Sequence, residues 1–192
     1  CASCSTPISL QYPLIEIVCA LLTTYVVLHF GVNTTGLLVL LFSWSLLALT
    51  GIDFNEQLLP DNITLPLLWL GLLVNTHNTF ATLNDAVIGA AAGYLALWWV
   101  FWVFKLLTGK EGMGHGDFKL LAALGAWMGW QQLLLIVLLS SMVGAIIGIA
   151  MMVFMGRDKQ IPIPFGPYLA AAGWIALLWG DSITSHYLSL YS

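Results

Sequence analysis

The chain has 192 residues, of which 60% are hydrophobic and only 7% are charged. Because soluble domains carry about 25% charged residues, this composition excludes an ordinary soluble domain and indicates a protein embedded in lipid. The formal net charge of −4 is small, and the five basic residues form no cluster that would indicate a nucleic-acid partner.

Apolar segments divide the chain into membrane crossings. A transmembrane helix needs about 17–25 mostly apolar residues, and seven segments approach or reach that length, which predicts an all-α polytopic membrane protein with a bundle of about seven transmembrane helices. In chain order they are 13–30, 35–52, 63–74, 86–104, 117–130, 133–155 and 167–179. The fifth would be only about 20 Å long, so the bilayer would have to thin around it or the helix would have to start below the interface. Small residues at 89–93 and 144–148 predict close helix packing.

The basic residues predict the orientation of these crossings. All five lie in or beside two connections, namely Lys105, Lys110, Lys119, Arg157 and Lys159. With seven crossings, both connections fall on the same side as the N-terminus and the 53–62 loop. Since positively charged loops face the cytoplasm, that side is predicted to be cytoplasmic. Asp53 and Asp117 are therefore expected at the same face of the membrane.

These two aspartates lie where apolar segments meet polar loops. Asp53 follows the second segment, and Asp117 opens the fifth after three alternating glycines, Gly112, Gly114 and Gly116. A carboxylate beside hydrocarbon is costly, so it is a candidate functional residue by default. Two carboxylates within hydrogen-bonding range cannot both ionise easily, and one then holds a proton near neutral pH. Such a pair can activate water and protonate a peptide carbonyl, which predicts acid–base hydrolysis without a covalent intermediate.

Other interpretations of the acidic residues remain open. Carboxylates stabilise helix N-termini, so Asp53 and Asp117 could cap helices at the membrane interface. Asp61, which follows Pro60, is the more typical helix cap and the main rival for the role of Asp53. A proton-coupled transporter would also use carboxylates on opposed helices, but it favours acids at mid-span and an internal repeat. Neither feature is visible in the sequence.

Two polar residues beside Asp117 have two interpretations each. His115 lies between two glycines and is predicted to be a loop residue rather than a proton relay. Lys119 could steady a carboxylate, but the favoured prediction is that its ammonium group extends along the helix to the membrane interface.

The N-terminus begins with a C-x-x-C motif, formed by Cys1 and Cys4. This motif is typical of half a tetrahedral zinc site or of a redox pair. A structural zinc site needs four ligands, and no second pair at zinc spacing follows. We therefore expect the natural protein to extend upstream of Cys1.

Four motifs together resemble those of the type IV prepilin peptidases, a family of GxGD aspartic proteases. The sequence GHGDFKLL at 114–121 contains GxGD, which alone is only four residues long. It is accompanied by IDFNEQLLPD at 52–61, by IPFGPYLA at 163–170, and by the opening segment 1–16 with its CASC and YPLIE sequences. The motifs occur in the family's order across nearly the whole chain, so the resemblance is specific.

The resemblance implies an intramembrane aspartic endopeptidase of the bacterial inner membrane. It would remove the short basic leader of type IV prepilins and type II secretion pseudopilins, just after a glycine, at the cytoplasmic face. Asp53 and Asp117 would be catalytic, with Gly114, Gly116 and Lys119 as substrate-binding or loop residues. Its partners would be these protein substrates and the lipid bilayer, with no nucleic acid, and proteolysis would need no cofactor. The alternative within this setting is a non-catalytic assembly protein of the secretion machine.

The resemblance also implies a second activity. Many family members methylate the new N-terminus with S-adenosylmethionine, and this activity is associated with a cytoplasmic domain that binds zinc through two C-x-x-C pairs. Residues 1–12 would then be the remnant of that domain, with Cys1 and Cys4 as half of the zinc site, and 13–192 would be the transmembrane peptidase domain. Methylation, zinc and S-adenosylmethionine are accordingly expected only in the full-length protein.

Overall fold

The computed structural model describes residues 9–110, 112–155 and 164–189. Every regular element in these ranges is helical, which confirms the predicted all-α class and its number of main helices. The seven α-helices are α1 (Gln11–Phe30), α2 (Thr34–Glu56), α3 (Asp61–Val74), α4 (Leu83–Thr108), α5 (His115–Met128), α6 (Leu133–Met155) and α7 (Gly166–Ser189). Short 3₁₀ turns, Asn75–His77 and Trp130–Gln132, follow α3 and α5.

Helix length and composition identify a polytopic membrane protein. Four helical segments are long and apolar enough to cross a bilayer: α1, α2, α4 and the segment Trp130–Val153, which includes most of α6. In contrast, α3 and α5 have 14 residues each, or about 21 Å at 1.5 Å per residue, as their short apolar segments predicted.

Helix boundaries differ from the sequence prediction by a few residues in several places, and three of the differences affect the site or the end of the bundle. α2 continues past position 52 to Glu56, so Asp53 lies in its last helical turn rather than in a loop. The helix ends where Gln57 adopts a left-handed conformation and its N–H bonds the Asp53 carbonyl. α5 begins at His115, before Asp117. α7 continues well beyond the predicted end at 179, because the polar residues that follow remain helical and Asp181 accepts a hydrogen bond from Gln132.

The short helix α5 lies at the centre of the bundle. Every residue from Leu120 to Met128 is buried, and the helix packs against α3, α4 and α7. Its largest side chain, Trp127, is fully buried and donates a hydrogen bond to the Leu67 carbonyl of α3 at 2.8 Å. A helix enclosed by protein in this way does not need to match the bilayer thickness, which accounts for its length.

Glycines bring α4 and α5 into backbone contact. A Cβ atom on Gly125 would overlap the carbonyl of Gly89, and a Cβ atom on Gly89 would overlap the carbonyl of Gly125. One turn further along α4, a Cβ atom on Gly93 would lie 2.7 Å from the Leu121 carbonyl oxygen. On α6, a Cβ atom on Gly144 would lie 3.2 Å from the Tyr168 ring of α7. The predicted close packing at these small residues is therefore confirmed.

Asn75 bonds the C-terminal end of α5, which is the end farthest from Asp117. Its side chain is fully buried, and its Nδ2 donates to the carbonyls of Ala126 and Trp127 at 2.9 Å each. Its Oδ1 accepts from the backbone N–H groups of Phe80 and Ala81 at 3.0 and 3.1 Å. Both donor hydrogens and both acceptor positions of the amide are thus used.

We expect Asn75→Ala to lower stability by about 2 kcal/mol, because two buried carbonyl groups and two half-buried N–H groups lose their partner. Thermal unfolding in detergent would measure the loss. Asn84→Ala is the matched control, since Asn84 is exposed in the first turn of α4, and its change should stay within about 0.5 kcal/mol. Equal melting temperatures for the two variants would contradict the role assigned to Asn75.

Candidate active site

A cavity of about 500 Å³ lies where α2 ends and both α5 and α7 begin. Its walls are the two aspartates, Asp53 and Asp117, together with residues 57–59, 112–116 and 164–165. The cavity therefore joins three of the four sequence motifs, which are distant along the chain.

Asp53 is held by the first residue of α7. Its side chain is 5% exposed, and its Oδ2 accepts a hydrogen bond from the Gly166 N–H at 3.0 Å. A Cβ atom at position 166 would lie 2.6 Å from that oxygen and 3.2 Å from Leu59 Cδ1. Only glycine lets the backbone approach the carboxylate so closely, and the free N–H groups of a helix N-terminus favour a negative charge there.

Asp117 is fixed within its own helix. It lies in the first turn of α5, is 5% exposed, and accepts a hydrogen bond from the Gly114 N–H through Oδ2 at 3.2 Å. The Asp117 N–H in turn donates to the Gly114 carbonyl at 3.2 Å. The glycine-rich segment before α5 thus orients the carboxylate toward the cavity.

The two carboxylates belong to one site. Both line the same cavity. In each, one oxygen is bonded by a backbone N–H group, at 3.0 and 3.2 Å. This arrangement can place a water molecule and a peptide carbonyl beside a pair of acids, which is the requirement for acid–base hydrolysis.

Leu59 separates the helix ends that carry the site. It is 9% exposed and lies against the backbone of Gly116, where a Cβ atom would be 2.7 Å from the Leu59 Cβ. Its Cδ1 lies against Gly166, as described above. The connection between α2 and α3 is thereby inserted between the first turns of α5 and α7. Gly116 is thus required for packing, and Gly114 precedes α5 as its N-terminal cap.

Lys119 and Asp61 form an ion pair beside the cavity. The Lys119 ammonium donates to both carboxylate oxygens of Asp61, at 2.6 and 2.8 Å. Contact with a carboxylate is therefore observed for Lys119, whereas the sequence prediction favoured extension of the ammonium group to the membrane interface. The prediction that Asp61 caps α3 is wrong: Pro60 occupies the N-cap position, and Asp61 is the first helical residue with its side chain turned to Lys119. Asp61 does not line the cavity.

His115 is a helical residue, so its prediction as a loop residue is wrong. It is the first residue of α5, where its exposed ring packs against the rings of Phe101 and Phe118, with centroids 5.1 and 5.4 Å apart. The ring also forms part of the cavity wall.

Two residues that shape the site, Leu59 and Gly166, were not predicted from the sequence. Both lie inside the family motifs, but their roles depend on contacts across the chain; Gly166 and Asp53 are 113 positions apart. The proline on each side of Gly166 was the only local signal, since it marks a break before a new helix. Cys1 and Cys4 lie outside the described residues. Within those residues, no group of three or more His, Cys, Asp or Glu side chains is arranged to bind a metal.

Fold and site together define a helical, polytopic membrane protein with two buried carboxylates in a cavity at its helix ends. Residues 40–149 match the type IV leader peptidase family, and this range includes both carboxylates. The chain belongs to that family, as its motifs predicted.

Curated relatives extend the match to nearly the whole chain. It is 58% identical over 188 residues to a prepilin leader peptidase/N-methyltransferase of Stutzerimonas stutzeri. Identity is 60% over 188 residues to the protein of that name from Pseudomonas aeruginosa, and 59% over 189 residues to the one from Aeromonas hydrophila. Each match covers 98% of this chain and 65% of the relative, so the chain is shorter than these relatives. No solved structure matches it significantly.

Proposed function

We propose that this chain is an intramembrane aspartic peptidase that removes leader peptides from type IV prepilins and type II secretion pseudopilins. The observation that supports this most strongly is the burial of Asp53 and Asp117, from two separate helices, in one cavity. The names of the relatives supply the substrate class, since they are prepilin leader peptidases.

In the proposed reaction the two carboxylates share one proton, because like charges at close range disfavour double ionisation. The ionised member takes a proton from water, whose oxygen attacks the carbonyl carbon of the scissile peptide bond. The protonated member donates its proton to the carbonyl oxygen. The tetrahedral intermediate then collapses: one of its hydroxyl groups returns a proton to the ionised carboxylate, the C–N bond breaks, and the amine leaves with the proton that the other carboxylate took from water, so the pair again holds one proton. The N–H groups of Gly166 and Gly114 hold one oxygen of each carboxylate, so the other oxygen is available to water and substrate.

N-methylation is proposed for the full-length protein. The relatives are named methyltransferases as well as peptidases, and this chain spans 65% of their length. Residues 1–12 would belong to the cytoplasmic domain, and Cys1 and Cys4 would supply two thiolates to a four-ligand zinc site. S-adenosylmethionine would donate the methyl group. No step of peptide cleavage involves zinc or this cofactor.

The test of the proposed peptidase is cleavage of a prepilin by the purified chain in lipid nanodiscs. The expected result is a shortening by the length of the leader, with the new N-terminus identified by mass spectrometry. A folded chain that leaves the prepilin intact would contradict the proposal.

The active site is proposed to face the cytoplasm, because all five basic residues fall on that side of the seven predicted crossings. Cysteine labelling tests this in a chain whose native cysteines are replaced by serine. Leu58→Cys, at a residue 66% exposed in the α2–α3 connection, should react with a membrane-impermeant maleimide in inverted vesicles but not in intact cells. Val32 precedes the N-terminus of α2 and is 85% exposed. Val32→Cys should react in intact cells but not in inverted vesicles. Labelling of Leu58→Cys from the periplasm would contradict the orientation.

A further inference from the structure

The ion pair between Asp61 and Lys119 links the two chain segments that hold the carboxylates. Asp61 is the first residue of α3, Lys119 lies in α5, and they are 58 positions apart. Lys119 comes two residues after Asp117, and Asp61 comes two residues after Leu59. The side chains are 29% and 52% exposed, so the pair lies at the surface next to the cavity.

The connection that leads to Asp61 is fixed at its other end to Asp53. There the Gln57 N–H donates to the Asp53 carbonyl at 3.0 Å and ends α2. Between these two ends, Leu59 is inserted between the N-terminal turns of α5 and α7. The segment from Asp53 to Asp61 therefore connects the two helices that carry the carboxylates. It begins at Asp53 in α2, and the ion pair joins its other end to α5, which carries Asp117.

Lys119 does not act on Asp117 directly. Residues two positions apart on a helix do not face each other, and the Lys119 ammonium is directed to both oxygens of Asp61. An exposed ion pair also contributes little to folding stability. The position of Asp117 relative to Asp53 is the property that this contact can control.

We propose that Asp61 and Lys119 are a positioning pair that sets the placement of Asp117 against Asp53. The pair is needed for turnover, and not for folding or for substrate affinity. This inference rests on the proposed peptidase function. Small displacements of catalytic groups are enough for such an effect, since misplacement by about 1 Å can lower a rate by about 10²-fold.

The experiment compares Lys119→Gln, Asp61→Asn and the double variant with the wild-type chain in nanodiscs. The measurements are kcat and KM for prepilin cleavage, and thermal unfolding in detergent. Each single variant should lower kcat by about tenfold, with KM and melting temperature unchanged. The double variant should be no slower than either single, because both remove the same contact.

Two further variants distinguish the effect of the contact between Asp61 and Lys119 from the effect of positive charge alone. Lys119→Arg keeps a positive group that can bond both Asp61 oxygens, so it should retain most of the wild-type kcat. Lys110→Gln removes a lysine from the exposed loop before α5 and should leave kcat unchanged.

Each other outcome overturns the inference in a recognisable way. Unchanged kcat in both single variants would make the pair a surface contact without function. A rise in KM alone for Asp61→Asn would assign that carboxylate to binding of a basic leader. A fall in kcat that is accompanied by a fall in melting temperature would show that the pair has a structural role. If the wild-type chain itself does not cleave, the proposed function is wrong and the inference falls with it.

Discussion

Replacing Asp53 or Asp117 by asparagine should abolish the proposed prepilin cleavage, with an expected loss in rate on the order of 10⁴-fold. An amide has the shape of the carboxylate, and its carbonyl oxygen can still accept the hydrogen bond from Gly166 or Gly114. It cannot take a proton from water or share one with its partner. Each variant should therefore insert and fold as the wild-type chain does. Cleavage is measured on purified protein in nanodiscs, with thermal unfolding in parallel.

Asp181→Asn is the matched control for these two variants. Asp181 is exposed on α7, about 22 Å along the helix from Gly166 at 1.5 Å per residue, and it accepts a hydrogen bond from Gln132. An asparagine oxygen can accept the same bond, so this variant should cleave at the wild-type rate. If Asp53→Asn or Asp117→Asn behaved like Asp181→Asn, that aspartate would not be catalytic.

The glycine-to-alanine substitution should have opposite effects at two positions. At Gly125 the added methyl group would overlap the carbonyl of Gly89, so α4 and α5 must separate along their contact. We expect Gly125→Ala to cost about 3 kcal/mol or more, at the upper end for overpacking, because backbone atoms cannot rotate away. The melting temperature and the yield of monodisperse protein in detergent should both fall.

Gly51→Ala is the control for that effect. A Cβ atom at position 51 of α2 would have a single ordinary contact, with Ile15 at 3.9 Å. Alanine is favoured over glycine in a helix by about 1 kcal/mol, so this variant should be as stable as the wild type or more stable. Equal destabilisation by both substitutions would show that the α4–α5 contact is not specific.

The sequence predicted the helices better than it predicted their arrangement. Apolar length located the spans of α1, α2, α4 and α6, because the bilayer fixes the length that a crossing needs. The same criterion placed the end of α7 too early, because the polar residues after 179 are helical as well. It could not identify α5 as the central helix, because side chains that face lipid and side chains that face protein are equally apolar.

For the candidate site, local patterns identified the acids but not the contacts that place them. The alternating glycines and the helix-end positions singled out Asp53 and Asp117, and the structure places both in one cavity. The side-chain partners of Asp61 and the roles of Leu59 and Gly166 depend on tertiary contacts. A pattern within one segment cannot predict them. Asp61 shows this most clearly: its sequence context is typical of a helix cap, but its carboxylate bonds Lys119.

In the proposed mechanism Asp53 and Asp117 form one catalytic unit. The most direct measurement of it is the residual prepilin cleavage rate of Asp53→Asn, Asp117→Asn and the double variant, determined in one assay by mass spectrometry. Members of a catalytic unit are not additive, so all three variants should show the same low residual rate. A double variant slowed by the product of the two single losses, or a single variant that keeps half of the wild-type rate, would contradict the claim.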